Sequence, residues 1–385
     1  MKPILRGHRR ATAQGGFSLI EIMVGVVIGM IAVLVIFQVY NVAEGFKRNT
    51  TAYGEAMQSG LLSTFVLGME LGNAGTGLNT AQTDLQWCAP PAPLTGNVSD
   101  IANTFRPIPV LIADSPSGNT NFDAFAVTYS VASTLVSSVP FTANAAPAAN
   151  YQVQSTGGFH PGDLIVGVQA PNTPNSACAS STATAVSPPD VLGVVTITQT
   201  GTALNFTASS VLFNMGPCDR AQKVQYSVAN NVLLSTPLLN SNKLPAAACG
   251  QPVAALVPSP VASNVVVMKA EYGINTSKSP ERELDTWVQA TVGGGWDPTT
   301  LLQAPITTIN QIKAVRIGVI VQSEQFDKTL GDYNWVLFDC SDANKANCPG
   351  RLTGTIAASA TPQGNWRFRK YETIIPLRNS IWNPT

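Results

Sequence analysis

The stretch GGFSLIEIMVGVVIGMIAVLVIFQVY, Gly15–Tyr40, decides the fold of this chain because it is almost continuously apolar. From residue 17 to residue 40 it contains three clearly polar residues, Ser18, Glu21 and Gln38. As a helix this segment spans about 36 Å, which is enough to cross the hydrocarbon core of a bilayer. A carboxylate inside such a segment costs about 2.5–3.5 kcal/mol. The pattern predicts a membrane-spanning helix in which Glu21 requires a specific explanation.

Two ordinary kinds of N-terminal segment explain only part of this pattern. A cleaved signal peptide has an apolar region of about 7–15 residues followed by a small-residue cleavage site, and the run here is longer. A plain transmembrane anchor accounts for the length and for a cytoplasmic basic flank, since residues 1–16 carry four basic residues and no acid. It gives no reason for the glycine pair or for Glu21.

A third interpretation explains both features. The stretch GGFSLIEIMVGVVIGMIAVL closely resembles the class III signal of type IV prepilins and pseudopilins. The resemblance implies that prepilin peptidase cleaves between Gly16 and Phe17, that Phe17 is N-methylated, and that Glu21 is the fifth residue of the mature chain. The liberated ammonium and the Glu21 carboxylate are each costly in an apolar environment, so pairing them removes much of the penalty. We therefore expect Glu21 to register one subunit against the next during assembly.

The helix is predicted to continue well beyond the membrane, over residues 17–73. No proline occurs between Pro3 and Pro90, and glycines cluster at its expected end. After residue 40 the apolar residues recur mainly every four positions, as Tyr53, Met57, Leu61, Phe65 and Met69, with Leu62 and Val66 alongside. This spacing is typical of an amphipathic helix that packs onto a sheet through its apolar stripe.

The sequence pattern of the remaining chain predicts β-strands and loops. Short β-branched or aromatic runs bounded by turn residues predict strands within residues 124–131, 163–170, 191–199, 203–209, 223–235, 263–274, 312–323 and 365–377. The alternation in KAVRIGVIV indicates a half-buried strand. The Pro- and Ser-rich segment 169–190 is predicted to be a loop. The predicted fold class is α+β.

Several segments narrow the resemblance to the PilW family of pilus assembly proteins. MQSGLLSTFVLGMELGNAG is similar to that family's helix end, and FDAFAVTYS and HPGDLIVG to its early strands. VVVMKAEYGI, IKAVRIGVIVQS and YETIIPLRNS are similar to its last strands. The resemblance implies the type IV pilin fold, with a basic leader over residues 1–16, a transmembrane half-helix over 17–40, an amphipathic half-helix over 41–75 and a periplasmic β-rich headgroup over 76–385.

The function implied by this resemblance is structural. The expected protein is a minor pilin, anchored by a single pass in the inner membrane, that helps initiate or cap a type IV pilus at its tip. Its expected partners are prepilin peptidase, other minor pilins, the major pilin, a large tip adhesin and, before assembly, inner-membrane lipid. The alternatives are a minor pseudopilin of a type II secretion system, a pilin-like adhesin and a membrane-anchored periplasmic enzyme.

The residues offer little support for catalysis or for a metal or cofactor site. His160 lies in a predicted turn, and Asp114, Asn119, Asn121 and Asp123 are interpreted as a turn because their spacing is not that of a calcium loop. No catalytic residue, metal site or cofactor is therefore predicted. Outside the leader, 18 basic residues face 22 acidic ones, which argues against nucleic-acid binding by bulk charge.

The cysteines favour disulfides in an exported chain. There are six, none in a C-x-x-C pair, and an even number in an oxidising compartment is typical of disulfide bonding. Cys340 and Cys348 are close enough in sequence to close a small loop, and they are the one pair predicted. The pairing of Cys88, Cys178, Cys218 and Cys249 is left open.

Overall fold

The computed structural model describes a long N-terminal helix followed by a large β-rich region. The described residues are 16, 18–78, 85, 88, 106, 108–115, 120–132, 138–147, 149–154, 158–170, 176–200, 204–218, 223–238, 257–276, 284–340, 350–361 and 363–381. The chain divides into two compact units, Met1–Tyr53 and Gly54–Thr385. The predicted α+β class is confirmed.

Helix α1 (Leu19–Asn73) is a single element of 55 residues. It ends in a turn where Gly75 and Gly77 adopt φ values of 78° and 72°, a backbone conformation that glycine adopts without steric cost. The predicted end of the helix is therefore confirmed. Its apolar portion near the N-terminus is long and apolar enough to cross a membrane, and none of that portion is buried within the structure.

The β-rich unit contains eighteen described strands and three short helices. In chain order the strands are β1 (Val110–Ala113), β2 (Ala124–Thr128), β3 (Ser138–Pro140), β4 (Tyr151–Val153), β5 (Asp163–Val168), β6 (Cys178–Val186), β7 (Val195–Gln199), β8 (Val211–Pro217), β9 (Lys223–Ala229), β10 (Val232–Pro237), β11 (Ser259–Ala262), β12 (Val265–Ile274), β13 (Thr286–Gln289), β14 (Ile312–Asp327), β15 (Tyr333–Leu337), β16 (Leu352–Ile356), β17 (Ser359–Ala360) and β18 (Gln363–Pro376). The helices are α2 (Pro298–Gln303), α3 (Ile306–Asn310) and α4 (Arg378–Ile381).

These strands form four antiparallel sheets. Two five-stranded sheets have the orders β1-β2-β9-β10-β11 and β13-β12-β14-β18-β17. A six-stranded sheet has the order β3-β8-β5-β6-β7-β4, and β15 and β16 form a two-stranded hairpin. The principal core lies among the two five-stranded sheets, helices α2 and α3, and the part of α1 that belongs to the second unit. Separate hydrophobic clusters line the six-stranded sheet and fill the space beneath the β15–β16 hairpin.

The predicted loop over residues 169–190 is partly wrong, because it contains strand β6. This strand lies between β5 and β7, so its backbone groups have hydrogen-bonding neighbours on both sides. Its sequence, CASSTATAV, is rich in small polar residues and shows none of the β-branched apolar run that predicts a strand. The predicted strand within residues 203–209 is also wrong over the described residues, where Phe206 forms only an isolated bridge with Ala145.

Strand β14 is present, but it is not half-buried as predicted. Its first ten residues are all buried, and so are all ten residues of its neighbour β12. One face of the pair packs into the principal core, and the other is covered by the β15–β16 hairpin through Trp335 and Leu337. The charged residues on these strands are therefore enclosed by protein, which the strand pattern alone did not indicate.

Candidate assembly site

The predicted processing junction lies immediately before helix α1. Gly16 is exposed, and among the described residues no atom lies within 4 Å of the position that a Cβ on it would occupy. The helix begins at Leu19, and the carbonyl oxygen of Ser18 accepts hydrogen bonds from the backbone N–H groups of Glu21 and Ile22, at 3.0 and 3.2 Å. Phe17 lies outside the described residues. On the Gly16 side the junction is thus open to solvent and adjoins a regular first helical turn.

Glu21 lies in this first turn and is exposed. A negative charge at a helix N-terminus interacts favourably with the helix dipole. Among the residues that the structure describes, Glu21 forms no salt bridge. Its carboxylate is therefore exposed on a largely apolar helix surface.

The side chains around Glu21 form an extended apolar surface. Every large apolar side chain from Leu19 to Phe46 is at least 50% exposed. Soluble monomers rarely expose contiguous apolar patches larger than a few hundred Å². This surface has the character of a helix whose surroundings are lipid or other protein.

The part of α1 within the second unit packs through a face different from the one predicted. The buried residues on this face are three small ones, Ala56, Gly60 and Ser63, followed by Leu67 and Leu71. The predicted stripe instead faces outward, because Met57, Leu61, Leu62, Phe65 and Met69 are all between 43% and 65% exposed. The predicted packing of this stripe against a sheet is therefore wrong, although Val66 does pack against the core.

The physical reason for this reversal is the close approach of helix and sheet. A side chain on Gly60 would overlap the ring of Tyr371, which belongs to strand β18. The Tyr371 hydroxyl also lies 3.5 Å from the carbonyl oxygen of Met57. Small residues permit this approach, whereas a stripe of Met and Phe would hold the helix away from the strand. Residues three or four positions apart lie on the same helix face, and both the buried residues and the predicted stripe have this spacing. The periodicity therefore could not show which of the two faces packs.

Two clusters of buried charge were not predicted. In the first, the Nζ atom of Lys269 on β12 lies 2.6 Å from Oδ1 of Asp123 and 2.9 Å from Oδ1 of Asp114. The side chains of Lys269 and Asp123 are 9% and 3% exposed, and that of Asp114 is 26% exposed. The oxygen-rich segment that holds the two aspartates was interpreted from the sequence as a turn. Its carboxylates in fact hold an internal ammonium.

Burial sets the protonation of this first cluster. It raises the pKa of Asp123 to about 7, although the charge of Lys269 opposes the shift. Burial also disfavours ionised Asp114, but hydrogen bonds from Asp123 and Lys269 outweigh it and hold the pKa of Asp114 below its ordinary value. Burial disfavours charged Lys269 as well, and the two carboxyl groups outweigh it so that its pKa is raised. Of the two acids, Asp123, the more deeply buried, therefore has the higher pKa.

The second cluster pairs Glu271 on β12 with Arg316 on β14. The Nε and Nη2 atoms of Arg316 lie 2.7 and 2.5 Å from Oε2 of Glu271, which is completely buried. The guanidinium stacks between the rings of Trp287 and Phe338, at 4.6 and 4.4 Å from their centroids. Burial raises the pKa of Glu271 to about 7, although the charge of Arg316 opposes the shift. The signal for both clusters was present in the sequence, as charged residues inside strongly apolar strand runs.

His160 lies where the sequence placed it, in the turn before β5. Gly162 adopts a φ of 93° in this turn, and the His160 side chain is 64% exposed. Its Nδ1 atom lies 3.7 Å from Oδ2 of Asp163, whose carboxylate also accepts hydrogen bonds from the His160 backbone N–H and from Asn214. The carboxylate therefore stabilises the turn and the start of the strand. No group of three or more metal-ligating side chains occurs among the described residues.

The disulfides are only partly described. Cys88 and Cys178 are joined, with their Cα atoms 5.4 Å apart, which connects the segment after α1 to strand β6. Cys218 and Cys340 each also take part in a disulfide bond, with partners that the described residues do not include. Cys249 and Cys348 lie outside the described residues, so the Cys340–Cys348 pair remains a prediction.

Two family models match the chain. The model described as Type IV Pilus-assembly protein W, PilW, matches residues 225–379, and the Prokaryotic N-terminal methylation motif matches residues 12–37. No curated protein and no solved structure matches the chain. The resemblance drawn from the N-terminal signal and from the last strands is confirmed. The segments likened to the helix end and to the early strands of the family lie outside the matched ranges.

Proposed function

We propose that this chain is a minor pilin that is cleaved by prepilin peptidase between Gly16 and Phe17 and helps initiate or cap a type IV pilus. The observation that carries the proposal is the exposure of apolar side chains along helix α1, from Leu19 to Met69. Such a surface requires a cover, which is membrane lipid before assembly and the helices of neighbouring pilins afterwards. The N-terminal methylation motif and the PilW match support the same class of protein.

The role of Glu21 in this proposal is electrostatic. Cleavage at Phe17 creates an ammonium group in apolar surroundings, four residues before a carboxylate that has no described salt-bridge partner. Pairing the two charges, within one subunit or between neighbours, offsets the cost of holding each in an apolar environment. The pairing also defines a register, because only one axial offset of two helices brings the charges together.

The size of the headgroup favours a position at the pilus tip. The second unit, Gly54–Thr385, includes two five-stranded sheets and a six-stranded sheet. Close stacking of helices along a shaft leaves limited lateral space for so large a unit, whereas a terminal subunit meets no such restriction. At the tip, other minor pilins and a large adhesin are the proposed neighbours, and the headgroup faces the periplasm before assembly.

The test is a deletion strain complemented with wild type, Glu21→Ala or Gln38→Ala. Gln38 is the matched control because it is a polar residue elsewhere in the same apolar segment. Wild type and Gln38→Ala should restore the number of pili, whereas Glu21→Ala should enter the membrane but not the pilus fraction. Mass spectrometry of native protein should find Phe17 at the N-terminus.

The outcomes also separate the alternatives. An N-terminus other than Phe17, or normal incorporation of Glu21→Ala, contradicts the proposal. Normal piliation with defective protein secretion in the deletion strain identifies a type II pseudopilin instead. Normal piliation and motility with lost surface attachment identifies a pilin-like adhesin.

A further inference from the structure

The cluster of Lys269, Asp123 and Asp114 brings together the groups that form an amide bond. An amine and two carboxyl groups meet inside the protein, and one carboxyl group lies within 2.6 Å of the amine nitrogen. A simple buried ion pair requires only one acid for each lysine. Here the second acid, Asp114, contacts the same amine at 2.9 Å and retains access to solvent.

The backbone holds the Asp123 side chain firmly against strand β12. The Asp123 N–H donates to the carbonyl oxygen of Met268 at 2.8 Å, and the Met268 N–H donates to the carbonyl oxygen of Asn121 at 2.9 Å. The Ala270 N–H donates to Oδ2 of Asp123 at 2.9 Å. The carboxyl carbon is therefore fixed beside the amine by contacts on both sides of Lys269, and such fixed proximity accelerates bond formation.

We propose that Lys269 and Asp123 are joined by an intramolecular isopeptide bond, with Asp114 as the group that moves the protons. The bond would connect residues 146 positions apart. It would tie the sheet that contains β2 to the sheet that contains β12. This modification is independent of cleavage at Phe17 and of assembly into a pilus.

The protonation described for the cluster suits this reaction. Asp114, as the carboxylate, takes one proton from the Lys269 ammonium, and the nitrogen lone pair then attacks Cγ of protonated Asp123. The Ala270 N–H stabilises the negative charge that develops on Oδ2 in the tetrahedral intermediate. Asp114 delivers its proton to the departing hydroxyl group, the C–O bond breaks with its electron pair on oxygen, and water leaves.

Atoms and charge balance without another reactant. The nitrogen loses its second proton to Asp114, so the products are a neutral amide, one water molecule and protonated Asp114. Asp114 then releases this proton to solvent through its exposed side. Nothing is oxidised or reduced.

The test is the intact mass of full-length protein purified from membranes in detergent, with its disulfides reduced. The mass difference between Lys269→Met and wild type should exceed the difference that the substitution alone produces. The excess should equal the mass of one water molecule. Comparing the two proteins cancels any processing at the N-terminus. Digestion should then release a branched peptide that contains both Asp123 and Lys269. Folded wild-type protein that shows the unlinked mass and no branched peptide overturns the proposal.

The role of Asp114 is tested by Asp114→Asn, with Asp190→Asn as the matched control at an exposed turn. Loss of a general acid–base group slows a reaction by about 10²-fold or more. Pulse-labelled Asp114→Asn should therefore show a much smaller linked fraction at early times than wild type or Asp190→Asn. Equal linked fractions at every time point overturn the assignment of Asp114.

Discussion

Helix α1 and the strand pair β12–β14 place their residues in opposite ways. Along the helix, large apolar side chains are exposed, both before residue 46 and at Met57, Phe65 and Met69. Along the strands, Lys269, Glu271 and other charged residues are buried. Apolar groups are usually buried and charges exposed, so each region requires an additional partner to be stable. The charged residues of the strands pair with other residues of the second unit, whereas the apolar residues of the helix remain exposed.

The largest effect is expected from breaking a buried charge pair. Arg316→Ala leaves the carboxylate of Glu271 buried without its partner, and removing one member of such a pair costs about 3–5 kcal/mol. The free energy of unfolding, measured in urea on detergent-solubilised protein, should fall by that amount. Lys328→Ala is the control, because it removes an exposed charge immediately after β14, the strand that carries Arg316. It should change the free energy of unfolding by less than about 0.5 kcal/mol. Equal effects of the two substitutions would show that the pair is not needed inside the headgroup.

The next effect concerns the close approach of α1 to strand β18. Gly60→Ala forces a methyl group into the ring of Tyr371, and overpacking of this kind costs about 1–3 kcal/mol. Gly68→Ala is the matched control, because apart from the helix's own backbone no described atom lies within 4 Å of the new methyl group. It should stabilise the helix by up to about 1 kcal/mol through helix propensity. Thermal unfolding should therefore shift in opposite directions, and shifts of the same sign contradict the packing described.

A smaller effect is expected from pH. The pKa of Glu271 is raised by burial from 4.5 to about 7, so the folded chain retains a proton that the unfolded chain has already lost. The contribution of this group to stability is therefore greatest at low pH and is lost as the pH rises from about 4.5 to about 7. Glu271→Gln should flatten the dependence of the urea midpoint on pH in this window. An unchanged slope in that variant would assign the dependence to other groups.

The smallest effect on folding is expected on the exposed face of the helix. Phe65 is 65% exposed, so Phe65→Gln should change the free energy of unfolding by less than about 0.5 kcal/mol. Leu67, two residues away, is completely buried, and Leu67→Ala should cost about 2–5 kcal/mol. Phe65→Gln should nevertheless reduce the amount of protein in the pilus fraction. Full incorporation of a stable Phe65→Gln protein would show that this face contacts nothing in the assembly.

The sequence by itself determined the features that depend on neighbouring residues. The continuous apolar run, the absence of proline and the glycines after Leu71 were sufficient to predict helix α1 and its end. The spacing of Gly16, Phe17 and Glu21 was sufficient to predict the processing signal, which agrees with the methylation motif at residues 12–37. Strands β2, β5, β12 and β14 were also predictable, because alternation and β-branched runs are local signals.

Only the tertiary structure decided which surfaces of these elements are covered. The helix face that packs was determined by Tyr371, which follows Gly60 by 311 residues in the sequence. The partner of Lys269 lies 146 residues before it, and Arg316 lies 45 residues after Glu271. Strand β6 forms among small polar residues because two neighbouring strands supply its hydrogen bonds. Secondary structure is set largely by the local pattern, whereas burial and charge pairing depend on residues that only the folded chain brings together.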